Sequence, residues 1–495
     1  MRSTFYGFEI AKTGVFAAQR YIDLTGHNIA NANTVGYSRQ RLVLDNAEIA
    51  TGGAKVLEVI RGYSGTGVRT QGVEQLRNAF LDRQYRNEYG SYEMWNARSE
   101  AMTYIEDLFN ESGESGLSKS ISSFFSAAHK LTENPESKEY RTNLMQNALL
   151  MTDDFKHLAT QLVEKQAEQN EAVRVSAIQI NDIANNIADL NNQIFRYELS
   201  GEAANDLRDK RNNLLDELSG IADITYTEDD DGMLTVELGG VELVNRLTAT
   251  TINYAATTPN PIAGQANLYT LTWDDGTGTP VTVTTGKLRS YMDMRDGDSA
   301  ADIGIPYIMH KLDTLSSTIA TEVNAIHNAG YTLPDASNGN TSVNGVDFFN
   351  EPAGGVTALN FTLDAAITAS VFNIAASGNQ ITDDTLRGDN TNAVKLDELQ
   401  NKIDIAGIGS IEGYLKGFVA ELGVETSHTA KMLEGEQTLI KSLTNQRTSV
   451  SGVSIDEEMT NLIKFQQSYA ASARVITTID EYLDVLINKM GIVGR

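Results

Sequence analysis

Two stripes of apolar residues, one near each end of the chain, set the reading. Phe8, Ala11, Val15, Ala18, Ile22, Thr25 and Ile29 recur at steps of three and four, the spacing of one helix face. At the other end Met459, Leu462, Gln466, Tyr469, Ala473, Ile476, Asp480, Leu483, Ile487 and Met490 keep the same steps for longer. Ser454, with Glu457 three residues on, predicts a capping box that starts this second helix. Asp456 to Glu458 suit the positive end of its dipole, and Gly491 is the expected stop.

Between the stripes the period changes several times. Val73 to Phe109 reads as helical, with interruptions at Gly113 and Gly116. From Leu117 to Ser200 there is no glycine, and Pro135 is the one breaker. Ile180, Ile183, Ile187, Leu190, Ile194 and Tyr197 keep heptad spacing there. A helix over 136–199 with one or two breaks is expected, and Asp206 to Leu218 reads as a shorter one ending near Gly220. At Ile221 Thr, Val and Tyr rise. Leu234, Val236 and Leu238 alternate, as do Val281 and Val283, and Asp231-Gly232 predicts a hairpin turn. This β-rich stretch runs to about Thr285. Helical pattern returns from Ile303 to Asn328, a mixed segment with turns covers 331–390, and helices resume from Asn392 through Ala420 to Lys441.

The C-terminal stripe is apolar except at Gln466 and Asp480. Each apolar position is worth about 1.5–3 kcal/mol if fully buried, whereas ordering each residue of the helix costs about 1–2 kcal/mol in backbone entropy. One stripe cannot offset that cost. The helix therefore needs cover on more than one side, from the N-terminal helix and from other subunits. Gln466 and Asp480 in the seam would fix its register at some cost in stability.

Charge divides the chain in the same way. Lys and Arg number 39 against 66 Asp and Glu, a formal charge of −27. Residues 1–45 are slightly basic and 450–495 slightly acidic, so the two ends cancel and the middle carries the surplus. Near-neutral ends can pack against copies of themselves, and an acidic middle repels its neighbours. The acidity argues against nucleic acid and against an anionic membrane surface. With no cysteine, disulfides, thiolate metal sites and a Cys nucleophile are excluded. No apolar run approaches the roughly 20 residues of a membrane span, and Met1 to Gln19 does not read as a cleaved secretion signal.

No constellation points to catalysis, a cofactor or a metal. The run Glu228-Asp229-Asp230-Asp231-Gly232 fails as a calcium loop, because Thr227 and Leu238 stand where carboxylates are needed. Gly65-Thr66-Gly67 fails as a dinucleotide fingerprint, since Thr70 replaces the third glycine. The six histidines lie far apart, and G-x-S-x-G, H-E-x-x-H and the phosphate-loop pattern are all missing. The sharpest local signal is Asn28-Ile29-Ala30-Asn31-Ala32-Asn33-Thr34-Val35-Gly36-Tyr37-Ser38-Arg39-Gln40, which chemistry alone reads as a polar helix exit with a turn.

That segment resembles the signature shared by bacterial flagellar rod, hook and hook-associated proteins. Ser451 to Leu462 and its continuation Phe465 to Ile476 resemble the hook-associated members, as does Ser38-Arg39-Gln40 after Gly36-Tyr37. Phe80 to Arg86, Glu322 to Tyr331 and Gly388-Asp389-Asn390 are similar to further motifs of that family. Val35 departs from the proline common at its place, which leaves the turn less rigid. The resemblance implies a non-enzymatic structural part of the flagellum, at the junction of hook and filament. It implies export, unfolded and without a cleaved signal, to an extracellular position in a ring of copies. Neighbours would be the hook protein and hook-associated protein 3, with an export chaperone acting beforehand.

The expected fold is mainly α with β-rich insertions, an elongated multidomain chain with its terminal helices paired as a coiled coil. Residues 1–45 plus 450–495 would form the terminal domain. Residues 46–220 plus 286–449 would form a mostly helical middle that includes the mixed segment 331–390, and 221–285 a β-rich outer domain. The expected assembly interface comprises Phe8, Val15, Ile22, Asn28, Ala30, Asn31, Asn33, Thr34, Gly36 and Tyr37. From the C-terminal end it takes Met459, Leu462, Gln466, Tyr469, Ala473, Ile476, Leu483 and Ile487. The alternatives are another axial protein (hook protein or flagellin-like), or a cell-wall hydrolase with paired carboxylates in the β insertion.

Overall fold

The structure is a computed structural model of the 495-residue chain, and it describes residues 6–46, 67–109, 116–276, 278–335, 338–405 and 407–489. Residues 1–5 of the expected terminal domain, and Gly65, Thr66, Gly113, Met490 and Gly491, lie outside the described residues.

The elements begin with helix α1 (Tyr6–Ala30), strands β1 (Gln40–Asn46) and β2 (Val68–Gln75), and helices α2 (Ala79–Phe109), α3 (Leu117–Glu133), α4 (Lys138–Glu198) and α5 (Asn205–Ile221). Strands β3 (Ile224–Glu228), β4 (Leu234–Leu238), β5 (Val241–Asn245), β6 (Thr248–Ala249), β7 (Ile252–Thr258) and β8 (Leu268–Trp273) follow. Then come α6 (Lys287–Asp296), β9 (Asp298–Ser299), β10 (Asp302–Ile303), α7 (Ile305–Asn328), α8 (Ala365–Ala369), α9 (Thr391–Glu398), α10 (Ile411–Ser451) and α11 (Ile455–Asp484). A single π turn, Val485–Lys489, continues α11. The described chain is mostly helical with small antiparallel sheets.

Several elements differ from the sequence reading, among them strand β1 and helix α6, which it did not assign. Val73 to Gln75 belong to strand β2, which pairs antiparallel with β1 from Gln40↔Gln75 to Asn46↔Val68. The helical period at its start was overridden by this ladder, which buries Gln40 and Leu42. Helix α4 runs 61 residues without the expected break, as a stretch free of Gly and Pro permits. Val281 and Val283 are buried but form no full strand; residues 279–281 lie along β8, with a bridge between Thr272 and Pro280 and Val281 N donating to Leu271 O at 3.0 Å.

The chain forms two compact units. The first comprises residues 1–90, 180–251 and 436–495. In it β3-β4-β5-β6 form a meander, with Leu234, Val236 and Leu238 buried. Asn191 of α4 donates to Leu234 O at 2.8 Å and accepts from Leu234 N at 3.2 Å, which fixes the start of β4 to the helix. The acidic run is the β3–β4 hairpin tip: Asp229 Oδ1 accepts from Met233 N at 2.9 Å, and Arg246 pairs with Asp231 at 2.8 Å.

The second unit comprises residues 91–179 and 252–435. Its core stacks aromatic rings, with Phe348 and Phe349 5.0 Å apart and Phe349 and Phe361 4.6 Å apart. Buried Asn324 of α7 accepts from the backbone N of both Phe348 and Phe349 at 2.9 Å, so one amide positions the pair. Three residues on, His327 accepts at Nε2 from Ala375 N at 2.8 Å and donates from Nδ1 to Val346 O. Asn392 donates to Ala375 O at 2.7 Å. Asp389 accepts from Ser377 Oγ at 2.7 Å and from Gly378 N at 3.1 Å. Thus the stretches Glu322 to Tyr331 and Gly388 to Asn390 both serve to hold residues 375–378.

Candidate assembly site at the chain termini

Helix α1 is amphipathic and glycine-bearing, and it runs beside α11 in the first unit. A Cβ added to Gly7 would lie 3.3 Å from Ile479 Cδ1, and one added to Gly14 3.1 Å from Ser472 Oγ. Tyr21 stacks on Phe465 with ring centroids 4.1 Å apart. Asn28 Nδ2 donates to Glu458 Oε2 at 3.2 Å. Each step forward of seven residues on α1 meets a step back of seven on α11, so the helices are antiparallel and keep one contact line. The small residues Gly7 and Gly14 let the backbones approach.

At Ala30 helix α1 ends, and its exit is pinned by buried Asn28. The Asn28 Oδ1 accepts from the Tyr37 hydroxyl at 2.7 Å and from Gln40 N at 3.1 Å, and Nδ2 donates also to Gln40 O at 3.0 Å. Burial, then the charges of Asp206, Asp209 and Glu458, push the Tyr37 hydroxyl well above its ordinary value, so it stays a donor. Gly36 takes φ +77°, and a Cβ there would fall 1.8 Å from Asn213 Oδ1. Only glycine fits that turn.

The three residues after the turn reach three different elements, α5, α10 and α11. The Ser38 hydroxyl donates to Asp209 of α5 at 2.7 Å. Arg39 N donates to Ser451 O at 2.8 Å, and its guanidinium meets Glu458 at 2.8 and 2.7 Å and Glu457 at 3.0 Å. The Gln40 amide donates to Asp206 at 3.0 Å. Side by side in sequence, the two glutamates differ in setting: the Glu458 side chain is 3 % exposed and that of Glu457 57 %. Glu457 N meets the Ser454 side chain, so the N-cap forms as expected, while the glutamate itself turns to Arg39.

A second ion-pair group continues from Asp209. Arg77 bridges Asp209 at 3.3 Å and Asp82 at 3.1 Å. Arg447 of α10 bridges Asp82 at 2.9 Å and Asp216 at 2.8 Å, and Arg86 meets Asp216 at 2.6 Å. Burial alone would raise Asp82, but the Arg77 bond and the charges of Arg77, Arg447 and Arg86 hold its carboxyl below the usual range. For Asp209 burial outweighs its bonds from Ser38 and Arg77, and the carboxyl is pushed up.

Among the expected interface residues, Asn28, Asn31, Thr34 and Tyr37 come together in the helix exit, where Asn31 Nδ2 donates to His27 O at 3.0 Å. Phe8, Val15, Ile22, Leu462, Ala473, Ile476 and Leu483 are half-buried. Met459, Gln466, Tyr469 and Ile487 are exposed, as are Asp480, Ala30, Asn33, Thr34 and Gly36. The row touching α1 (Glu458, Phe465, Ser472, Ile479) lies one residue before the row Met459, Gln466, Ala473 and Asp480. In the sequence Glu458 is marked only as one of three acidic residues in the first turn of α11, and Asp209, Asp82 and Arg447 carry no sign of their roles. The one available signal was a carboxylate seven residues before Phe465, in line with Ser472.

The model of the flagellar hook-associated protein FlgK helical domain matches residues 102–349, half of the chain. The model of the flagellar basal body rod FlgEFG protein C-terminal region matches residues 444–489. Flagellar hook-associated protein 1 of Bacillus subtilis is 29 % identical over the whole of both chains. That of Escherichia coli is 26 % identical over 97 % of this chain and 98 % of its own. Among solved structures, the flagellar hook junction protein FlgK from Burkholderia pseudomallei matches with a TM-score of 0.61 and 14 % identity, over 74 % of this chain and all of that one, and so shares the fold.

Proposed function

The chain belongs to the family of the flagellar hook-associated protein FlgK, and from that premise we propose that it forms the junction between hook and filament, assembling as a ring through its terminal helices. It is a structural protein of the flagellum, and its relatives are structural proteins, not enzymes.

The observation that carries the ring is the state of α11. It meets α1 along one line and leaves Ile455, Met459, Ile463, Tyr469, Val475 and Tyr482 at least 40 % exposed. One side of contact does not offset the entropy of so long a helix. Copies packed side by side would cover the remaining faces. The seven-residue antiparallel contact line supports an α1–α11 coiled coil as the packing element. The match of residues 444–489 to rod proteins supports a mode of assembly common to axial parts.

On this reading the expected interface residues act together: Asn28, Asn31, Thr34 and Tyr37 set the exit angle of α1, and Met459, Gln466, Tyr469 and Ile487 face other copies. The hook protein on one side, hook-associated protein 3 on the other, and an export chaperone beforehand are its partners. Export proceeds without a cleaved signal, and the acidic middle keeps neighbours apart. Immunogold labelling of intact flagella tests the assignment. A narrow band of label between hook and filament is expected; label along the filament or on the cell wall would refute it.

A further inference from the structure

Beside the α1–α11 line, α1 and β2 enclose an open groove. Thr13 Oγ1 accepts from Val68 N at 3.2 Å, and Arg20 donates to Thr70 Oγ1 at 2.7 Å, which docks the strand on the helix. The groove is lined by Phe16, Gln19, Arg20, Asp23, Val68 and Arg69, among others. Phe16 is 55 % exposed, a large ring with its face to water. Two guanidiniums stand against one carboxylate, and among the described residues neither Arg20 nor Arg69 is in an ion pair. In a chain of formal charge −27 this is an unusual local excess of positive charge.

The complementary surface lies on α11. Tyr469, Ala473, Asp480 and Asp484 follow steps of four, seven and four, so they share one face of α11, and Ile487 follows in the π turn. Tyr469 is 40 % and Ile487 74 % exposed, and Asp480 is exposed with no ion pair among the described residues. Asp484 accepts from Asn488 Nδ2 at 2.7 Å on the same face. This face is apolar and acidic, with no Lys or Arg on it; the groove is apolar and basic. Both cannot be joined within one copy, because α1 already occupies the neighbouring face of its own α11.

We propose that the α1–β2 groove receives the Tyr469–Ile487 face of α11 from a second copy, with Arg20 and Arg69 opposite Asp480 and Asp484 and Phe16 against Ile487. The contact is head-to-tail, so each copy offers both halves and the arrangement propagates around a ring. Charge complementarity sets the partner and the register, and the apolar residues supply the buried area. The inference rests on the assembly reading above and adds which surfaces meet.

The test uses the full chain and isolated hooks, with capping read by electron microscopy over a range of protein concentration. Arg20→Glu with Arg69→Glu, and separately Asp480→Arg with Asp484→Arg, should each raise the concentration needed roughly tenfold, as two attractive exposed pairs become repulsive. A chain carrying all four changes should recover most of that loss. Circular dichroism and amide exchange on each variant confirm that the first unit is folded. Because the chain has no cysteine, Gln19→Cys with Ile487→Cys should give a ladder of copies on capped hooks under mild oxidation. Both reversals failing without mutual rescue would overturn the inference, since the groove would then face another partner. Reversals without effect, while deletion of 450–495 abolishes capping, would overturn it and leave the assembly reading intact. A wild-type chain unable to cap hooks would end both.

Discussion

Replacing Glu458 by glutamine should release the clasp between the chain ends, whereas the same change at Glu457 should not. Both carboxylates meet Arg39, at 2.7–2.8 Å and 3.0 Å, but their surroundings differ. Glu458 is nearly sealed from water, with Arg39 19 % exposed and Asn28 fully buried beside it. Removing Glu458 leaves the Arg39 guanidinium with only the largely solvated Glu457 at 3.0 Å, and losing the buried charge-assisted bonds costs about 3 kcal/mol. At Glu457, which is largely solvated, the loss is about 0.5 kcal/mol. The first figure corresponds to a rise in local opening of about 150-fold, the second to about twofold. Amide exchange at Arg39 to Leu42 and over the first three turns of α11 reads this directly, because a global transition of a two-unit chain would average it away. In the Arg39→Gln, Glu458→Gln double variant no buried charge remains, so it should open less than the two single effects combined, by about 2 kcal/mol. Equal acceleration in Glu457→Gln and Glu458→Gln, or none in either, would refute the reasoning.

The His327 imidazole is held at about 4 by burial, against an ordinary 6.5. The unfolded chain therefore takes up the proton first, and stability present above pH 6.5 falls towards pH 4, by about 3 kcal/mol in full. Trp95 and Trp273 both lie in the second unit, so urea midpoints followed by their fluorescence should decline between pH 7 and 5 more steeply in the wild type than in His327→Gln; parallel slopes would contradict this. Gly36→Ala should cost about 1–2 kcal/mol in the α1 exit through its left-handed backbone, with further loss from the encounter with Asn213. Gly26→Ala, in mid-helix with open space around it, should instead stabilise α1 by about 0.5–1 kcal/mol; exchange rates at Tyr37 to Gln40 in the two variants separate these outcomes.

Much of the helical layout was legible because its signals are local. Ser454 caps α11, Pro135 separates α3 from α4, and Asp231-Gly232 turns the β3–β4 hairpin. The β1–β2 pair was not, since Gln40 to Asn46 and Val68 to Gln75 carry no strong period and become strands by pairing with each other. In the terminal helices the direction of the stripe was clear, but the contact line sits one residue to the side on both. A one-residue step is about 100° of helix, and the line itself is marked by Gly7, Gly14, Ser472 and Glu458, none of them apolar. Hydrophobic periodicity points to the broad face to be covered, and small or polar residues choose the seam within it. The clasp of Ser38, Arg39 and Gln40 onto Asp209, Glu458 and Asp206 joins positions more than 160 apart in sequence, which no local pattern announces. Those three residues were visible as part of the family resemblance, and the structure supplies the physical reason for their types.

If the terminal helices are the assembly element, a chain without residues 450–495 folds but cannot join a hook. Deleting residues 450–495 and adding the truncated protein to isolated hooks tests it most directly. The second unit should still unfold cooperatively by Trp fluorescence, with no capping of hooks and no support of filament growth. Truncated protein that still caps hooks and carries filaments would contradict it.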